Sequence, residues 1–133
     1  MTPTAVNGWL LDTHSLLWML YGDKRLSRTA RTLIGGELPL FYSTVSFWEI
    51  GLKRSAKGFE IETDWDILLP RELKKCGVLK IDLESTDCRK MEDLPLHHCD
   101  PFDRMLIAQT LRRRLGVISR DSLFDEYPVL RAW

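Results

Sequence analysis

The sequence has no excess of either charge, because its 133 residues include 19 lysines and arginines and 19 aspartates and glutamates. A chain that binds nucleic acid by its overall charge is usually basic, so this one would need a local patch, a metal ion or both. It has no apolar run near the roughly 20 residues that span a bilayer, and its N-terminus lacks the basic start of a signal peptide. We expect a soluble cytoplasmic protein with no membrane partner.

Other absences narrow the class of function. The three cysteines are an odd number without Cys-x-x-Cys spacing, which favours a reducing compartment over a disulfide framework. His97, His98 and Cys99 are adjacent, so they cannot easily share a tetrahedral zinc, and a polar loop is the preferred interpretation. No glycine-rich phosphate loop or G-x-S-x-G motif is present, which excludes P-loop NTPases, dinucleotide enzymes and serine hydrolases of that type.

What is present is an alternation of apolar strands and helical segments without repeats or linkers. It predicts one domain over residues 1–133, with an α/β fold, a mainly parallel sheet and helices on both faces. The predicted strands are Trp9–Asp12, Leu38–Ser43, Val78–Leu83 and residues 117–121. The predicted helices end at Gly22, Gly35, Gly58, Gly77 and Gly116. Pro70 kinks or splits one of them, and Ser85 or Thr86 begins the short helix that follows the third strand.

Acidic residues follow the predicted strands or open the predicted helices. Asp12 ends the first strand, Asp121 ends the last one, and Glu49 lies one turn past the second. Asp100 and Asp103 occupy the first turn of the helix Pro101–Leu115. Ligands of such folds bind beyond the carboxyl ends of the strands, and a divalent cation is the usual reason for carboxylates to cluster. The pattern predicts a metal site.

Each acid also has a structural interpretation. Asp100 before Pro101 is a favoured helix start and more often a cap than a ligand, while an acid at the position of Asp103 is favoured by the helix dipole. Ser46 and Glu49 match a capping box, and that interpretation is about as good as a functional one. Asp12 and Asp121 follow apolar strands without turn chemistry, so they favour a metal site most strongly.

Basic residues give a weaker signal. Lys53 and Arg54 lie on the same helix as Glu49, where they are placed to contact a phosphate backbone. Arg112–Arg114 are more typical of a solvated helix C-terminus.

Four segments, LLDTHSLLWML, STVSFWEIGLK, LPLHHCDPFDRMLIAQ and ISRDSLFDEY, together resemble the PIN-domain nucleases, and more narrowly the VapC-type toxins of bacterial toxin–antitoxin pairs. The resemblance runs from about Trp9 to Val129. It implies a Rossmann-like three-layer α/β/α sandwich and an endoribonuclease that depends on magnesium or manganese. It also implies a cognate antitoxin and a homodimer, for which Trp18 and Leu20 are candidate surface residues.

The resemblance assigns roles by position. The catalytic and metal-binding acids are Asp12, Glu49, Asp103 and Asp121, with Glu49 holding a second ion or orienting water. Asp100 is an additional acid, either a cap or an outer-shell ligand. Ser119 replaces a frequent threonine as a supporting hydroxyl able to contact water or phosphate.

Two alternatives stay open. The chain could be a catalytically silent PIN-like binding module whose acids are only caps. It could also be a metal-dependent nuclease acting on DNA, although related flap-type nucleases carry long insertions for which 133 residues leave no room.

Overall fold

The structure of the chain, a computed structural model, describes residues 5–56 and 59–133. Its strands are β1 (Trp9–Leu11), β2 (Leu40–Ser43), β3 (Leu79–Ile81), β4 (Gly116–Ile118) and β5 (Arg131–Ala132). Its α-helices are α1 (Thr13–Tyr21), α2 (Arg28–Ile34), α3 (Thr44–Ser55), α4 (Trp65–Lys75), α5 (Ser85–Glu92) and α6 (Pro101–Arg113). A 3₁₀-helix covers Ser122–Glu126.

The five strands form one parallel sheet in the order β3-β2-β1-β4-β5. From β1 the chain adds strands first on one side and then on the other. The carboxyl ends of β1 and β4 are therefore neighbours at the point where the strand order reverses, and ligands of open parallel sheets bind at such a point. Asp12, directly after β1, lies there.

The two faces of the sheet bury different helices. Trp9 and Leu11 pack with residues of α1, α2 and α4, whereas Leu10 between them packs with residues of α6. Successive residues of a strand point to opposite faces, so a three-residue strand contributes to both layers. The predicted three-layer α/β/α arrangement is confirmed.

One strand was not predicted. β5 has only two residues, lies beside β4 at the edge of the sheet and is half-buried. Arg131 of β5 pairs with Asp125, with Nε 2.9 Å from Oδ1. Two residues, one of them charged, carry no periodic pattern, so the strand exists because β4 offers it backbone partners.

Helix ends differ from the prediction in several places. The last long helix ends at Arg113, and Arg114 takes the left-handed conformation (φ 54°) expected of the predicted Gly116. Gly116 lies instead in β4, where a Cβ atom would come 2.3 Å from Cζ3 of Trp9. This glycine is therefore explained by the close approach of an indole ring rather than by a helix stop.

Two other helices begin or continue differently. Helix α5 begins after Glu84, whose backbone N–H donates to the Asp87 carboxylate at 2.9 Å, so the predicted caps Ser85 and Thr86 lie inside the helix. Helix α4 runs through Pro70 as one element and is not split. Helix α3 ends at Ser55, and the predicted stop at Gly58 lies outside the described residues.

The arginines at the end of α6 are not simply solvated. Asp87 is fully buried, and its carboxylate binds Arg112 and also Arg113, the latter at 3.0 Å. Gln109 adds a hydrogen bond at 3.2 Å. A buried carboxylate is tolerated only when it is paired, so these residues join α5 to α6.

The apolar surface also differs from the prediction. Trp18 is buried and Leu20 packs against the core, so neither offers the exposed dimer surface expected of it. The exposed apolar side chains of α3 are Trp48 and Leu52, 63% and 55% exposed. Among the described helices, none has the length and hydrophobicity needed to cross a membrane.

Candidate active site

The five predicted acids lie around one small cavity, which we call the acidic cavity. Its volume is about 160 Å³, and it opens at the carboxyl end of β1. Its lining consists of Asp12, Thr13, His14, Glu49, Lys53, His98, Asp100, Asp103 and Asp121. These residues come from α1, α3, α6 and the segments around them, separated in sequence by up to about a hundred positions. The fold therefore brings the predicted set together.

Asp12 is buried and held by two hydrogen bonds. Its Oδ1 accepts the backbone N–H of Ser15 at 2.9 Å, so it caps α1. Its Oδ2 accepts the Ser119 hydroxyl at 2.6 Å. Burial raises the pKa of Asp12, and the two serines counteract part of that effect. The expectation that Asp12 lacks turn chemistry is wrong, since it is a helix cap as well as a cavity residue.

Ser119 links two of the acids. Its hydroxyl is fully buried; it donates to Asp12 and accepts the backbone N–H of Asp121 at 3.0 Å. Contact with water or phosphate, expected from the sequence, would compete with these two bonds. The geometry makes Ser119 a support for the acids.

Glu49 is not part of a capping box. Helix α3 begins after Ser43, whose hydroxyl accepts the backbone N–H of Val45 at 3.1 Å. Glu49 therefore lies inside the helix and is 4% exposed. Its Oε1 accepts the Thr13 hydroxyl at 2.6 Å. A buried carboxylate inside a helix has no capping role, so the capping interpretation of Glu49 is wrong.

The two predicted phosphate contacts have different positions. Lys53 lines the acidic cavity and pairs with Glu49, with Nζ 2.8 Å from Oε2. Arg54 donates to the Thr63 hydroxyl at 3.3 Å and is not part of the cavity lining. Lys53 therefore neutralises a cavity acid, and Arg54 is directed elsewhere.

Asp100 and Asp103 both lie at the start of α6, but they have different roles. Asp100 is the predicted cap: its Oδ1 accepts the N–H groups of Phe102 at 2.8 Å and Asp103 at 3.3 Å. Asp103 makes no cap. Burial, and then the negative charges of Asp100, Asp12, Glu49 and Asp121, raise its pKa from 3.8 to about 8. A carboxyl group with this pKa lies where a cation would be most strongly stabilised.

Asp121 lies three residues beyond the end of β4 and not directly on it. Its Oδ1 accepts the N–H of Leu123 at 2.9 Å and caps the 3₁₀-helix. Its Oδ2 faces the cavity, 3.4 Å from Nε2 of His98. Its side chain is 40% accessible, against 16% for that of Asp103, so solvent can approach the cavity from the side of Asp121.

His98 was not predicted as a site residue. It is buried, and its Nε2 lies 3.0 Å from Oδ2 of Asp103. The loop that carries it is held by Tyr127, whose hydroxyl accepts the N–H groups of His97 at 3.1 Å and His98 at 3.0 Å. The sequence favours a polar loop at this position over a zinc ligand. The available signal was its place two residues before Asp100, which directs its ring into the first turn of α6.

The donor set fits a hard divalent cation. Magnesium and manganese prefer carboxylate oxygens and need only a few of them. Carboxylate oxygens of Asp103 and Asp121 lie within 4.8 Å of each other and of a His98 nitrogen. Burial first, and then four neighbouring carboxylates, raise the pKa of Asp103, and a bound cation would oppose both effects. Asp103 and Asp121 are therefore suited to hold such an ion, and Asp12 lines the same cavity.

A second, larger cavity adjoins the first. Its volume is about 510 Å³, and it shares Asp12, His14 and Asp121 with the acidic cavity. Its other lining residues are Trp18, Arg25, Arg120 and Ser122. The guanidinium of Arg25 lies 4.9 Å from the centre of the Trp18 ring and pairs with Asp23 at 2.8 Å. We call this space the arginine groove, since two arginines line it beside the acids.

Comparison with known proteins places these features in a family. The sequence model of the PIN domain matches residues 9–130. A VapBC structure from Salmonella typhimurium bound to DNA aligns with a TM-score of 0.68 at 11% identity, covering 94% of this chain and 96% of that one. VapBC2 from Rickettsia felis, bound to a DNA fragment from its promoter, aligns at 0.64 with 10% identity and coverages of 93% and 96%.

A third structure, a toxin–antitoxin complex from Klebsiella pneumoniae, aligns with a TM-score of 0.56 at 18% identity, covering 86% of this chain and 88% of that one. At these identities the likeness concerns the fold. A comparison with curated proteins finds no significant sequence match.

Proposed function

The chain belongs to the PIN-domain family, and from this membership we propose that it is a divalent-metal-dependent endoribonuclease and the toxin of a bacterial toxin–antitoxin pair. One observation carries the chemical part of the proposal. Acids from distant parts of the chain meet in one cavity, and their mutual repulsion, added to burial, raises the pKa of Asp103 to about 8. A site of this kind is built for a cation.

Hydrolysis of a phosphodiester needs positive charge on the phosphoryl oxygens and a deprotonated water in line with the leaving oxygen. A bound magnesium or manganese ion supplies both the charge and the acidification of water. In our proposal Asp12, Asp103 and Asp121 hold that ion. Glu49 orients the attacking water or holds a second ion, and Lys53 keeps the Glu49 carboxylate in place.

The arginine groove gives the substrate a path. A single strand whose scissile phosphate lies over the acidic cavity has to continue along the surface beside it. Arg25 and Arg120 offer positive charge there, and the exposed ring of His14 offers an aromatic surface. Phosphate contacts by arginine and stacking of bases on aromatic rings are the usual means of binding single strands. Lys53, which lines the acidic cavity, and Arg54, which does not, remain proposed phosphate contacts.

The partner is proposed from the fold neighbours. Those structures are VapBC and toxin–antitoxin complexes, which supports a cognate antitoxin for this chain. We propose that residues 1–133 act as one nuclease domain, in the cytoplasm and as a homodimer. The exposed Trp48, whose ring centroid lies 4.9 Å from that of the partly buried Phe102, provides apolar surface for the antitoxin or for the second subunit.

Calorimetric titration with magnesium and manganese, paired with cleavage of a total-RNA pool, tests the proposal. We expect the wild type to bind metal and to cleave RNA only when the ion is present. Asp103→Asn should lose both properties. Asp66→Asn, which changes an exposed acid of α4 in the same way, is the matched control and should retain both. Cleavage that persists in EDTA would refute the metal-dependent scheme.

The same assays, extended to a pool of single-stranded DNA, distinguish the proposed function from a binding module and from a DNA nuclease. A binding module would show neither metal binding nor cleavage in the wild type, and Asp103→Asn would change only its stability. A nuclease for DNA would cut a single-stranded DNA pool at least as fast as RNA under the same ions. Preferential cleavage of RNA is the result that the proposal requires.

A further inference from the structure

The buried imidazole of His98 invites assignment as a third metal ligand. Its side chain is 10% exposed, and Nε2 lies 3.0 Å from Asp103 Oδ2 and 3.4 Å from Asp121 Oδ2. Among the described residues, no group makes a hydrogen bond of good geometry with Nε2. A nitrogen that is buried, aimed between two carboxylates and not hydrogen-bonded would normally be regarded as a ligand.

The other side of the ring argues against that assignment. Nδ1 of His98 accepts the backbone N–H of Asp100 at 3.2 Å. A ring nitrogen that accepts an N–H carries a lone pair and no hydrogen, so in the neutral ring the hydrogen is on Nε2. A nitrogen that bears a hydrogen cannot bind a metal, since imidazole ligates through its lone pair.

The contact with Asp100 is held by the surrounding structure. The Tyr127 hydroxyl binds the N–H groups of His97 and His98 and donates to the carbonyl of Pro95 at 2.8 Å. The loop is therefore fixed on one side by Tyr127 and on the other by the start of α6. A neutral ring with a bare Nε2 would carry its hydrogen on Nδ1 and leave the Asp100 N–H without its acceptor, which is costly for a half-buried donor.

We propose that His98 is a positioning residue and not a ligand: its Nε2–H lies between Asp103 and Asp121 and sets the spacing of the two carboxylates for a metal ion. The hydrogen offers both oxygens a positive partner, which offsets part of their repulsion. The inference rests on the proposed metal-dependent function, because only a bound metal ion gives the spacing of the two carboxylates a purpose. It concerns a residue outside the four acids to which that function assigns the metal.

Two substitutions test the roles of the two ring nitrogens of His98 separately. In His98→Asn the amide oxygen would lie near the place of Nδ1, so this variant keeps an acceptor for Asp100 but has no donor for the carboxylates. His98→Gln reaches the place of Nε2 with an amide N–H and has no acceptor near Nδ1. We expect His98→Asn to weaken manganese binding by roughly 10- to 100-fold, as loss of an outer partner of metal ligands does. His98→Gln should retain most of the affinity.

Equal loss in both variants, or no loss in either, would overturn the proposal. Thermal unfolding of both variants accompanies the titration and identifies a variant that does not fold. A further measurement requires no variant: nitrogen NMR of the metal-free wild type should place the ring hydrogen on Nε2. Electron paramagnetic resonance of the manganese-loaded protein, with histidine labelled by ¹⁴N or ¹⁵N, should show no coordinated nitrogen.

Nitrogen bound to manganese would make His98 a ligand, and a hydrogen on Nδ1 would remove the proposed donor from Nε2; either result would refute the inference. A wild type that binds no manganese would refute the proposed function instead. The ring tautomer of the metal-free protein decides the role of His98 even then, because it does not depend on the ion.

Discussion

Replacing Asp103 with asparagine should make the metal-free protein more stable at neutral pH, although it removes a central residue of the proposed site. Burial, followed by the charges of the neighbouring acids, raises the pKa of Asp103 from 3.8 to about 8. At neutral pH the folded protein must either retain a proton that water would remove or tolerate the charge. Asparagine has nearly the same shape and removes that penalty.

Proton linkage gives the direction in which pH changes the free energy of unfolding and the pH range over which the change occurs. A carboxyl group with a raised pKa holds its proton in the folded state at pH values where the unfolded chain has released it. The free energy of unfolding therefore falls as the pH rises from about 4 to about 8 and levels off above that range. The interval from 3.8 to about 8, at about 1.4 kcal/mol per pH unit, sets a ceiling of roughly 6 kcal/mol.

The measured gain should be smaller than this ceiling. The Asp103 side chain keeps 16% of its surface in contact with solvent, and protons shared with the other acids relieve part of the repulsion. We expect Asp103→Asn to gain about 2 to 3 kcal/mol at pH 8, given the high effective dielectric of real protein sites. The gain should be smaller at pH 5 and should nearly vanish only below about pH 4, where the unfolded chain also holds its proton.

Urea unfolding in EDTA at pH 5 and pH 8 provides the assay, with Asp87→Asn as the matched control. Asp87 is fully buried as well. Burial acts to raise the pKa of its carboxyl, but hydrogen bonds from Arg113, the Glu84 backbone, Arg112 and Gln109 lower it overall. Its neutralisation removes the buried carboxylate that pairs with Arg112 and Arg113 and should destabilise the protein by about 3 to 5 kcal/mol.

The same change at two buried aspartates should therefore have opposite signs. Destabilisation by Asp103→Asn at pH 8, or an effect that does not change between pH 5 and pH 8, would refute the electrostatic description of the acidic cavity. Addition of magnesium should reverse the order of wild type and Asp103→Asn, because an ion that binds only the folded state stabilises it.

Three further substitutions test separate parts of the structure. Ser119→Ala removes a buried donor from Asp12 and should lower the free energy of unfolding by about 1 to 3 kcal/mol, measured by urea unfolding; an unchanged midpoint would show that the serine does not support the acid. Arg120→Ala should reduce the salt dependence of single-stranded RNA binding, lowering the slope of log affinity against log salt by about 0.7 for one phosphate contact; fluorescence titration over a salt series measures it, and an unchanged slope would remove Arg120 from the substrate path. Gly116→Ala places a Cβ 2.3 Å from the Trp9 ring and should cost about 1 to 3 kcal/mol through overpacking; a thermal midpoint equal to that of the wild type would contradict the packing explanation.

Elements of the fold could be predicted wherever burial gives the sequence a recognisable pattern of apolar residues. Strands β1, β2 and β4 are short apolar runs, and their order follows from the helices between them. The ends of elements were less predictable, because they depend on contacts between distant residues. Gly116 looks like a helix stop in sequence, but Trp9, more than a hundred positions away, requires a glycine there. In the same way, the two residues of β5 form a strand only because β4 lies beside them.

The site residues could be predicted only in part, because the same carboxylate can cap a helix and also line the acidic cavity. Asp12, Asp100 and Asp121 each use Oδ1 to cap the first turn of a helix. A carboxylate has a second oxygen, and that of Asp121 faces His98 in the acidic cavity. A helix start at the end of a strand therefore positions an acid at the ligand-binding edge of the sheet and fixes its orientation. For this reason a cap motif in the sequence neither supports nor excludes a metal site.

Burial, and the neighbouring residues that cause it, distinguish the acids of a cation site from acids that only cap a helix. Glu49 lies inside α3, where no cap is needed, and it is buried against Thr13 and Lys53. Asp103 lies one turn into its helix, makes no cap and carries the raised pKa. Neither property can be obtained from local sequence, because both depend on elements that approach from elsewhere in the chain. The same holds for His98, whose ring is placed by Tyr127 and Asp100 from opposite sides. Acids that the fold buries together without a capping role are thus stronger indicators of a cation site than acids that merely follow a strand.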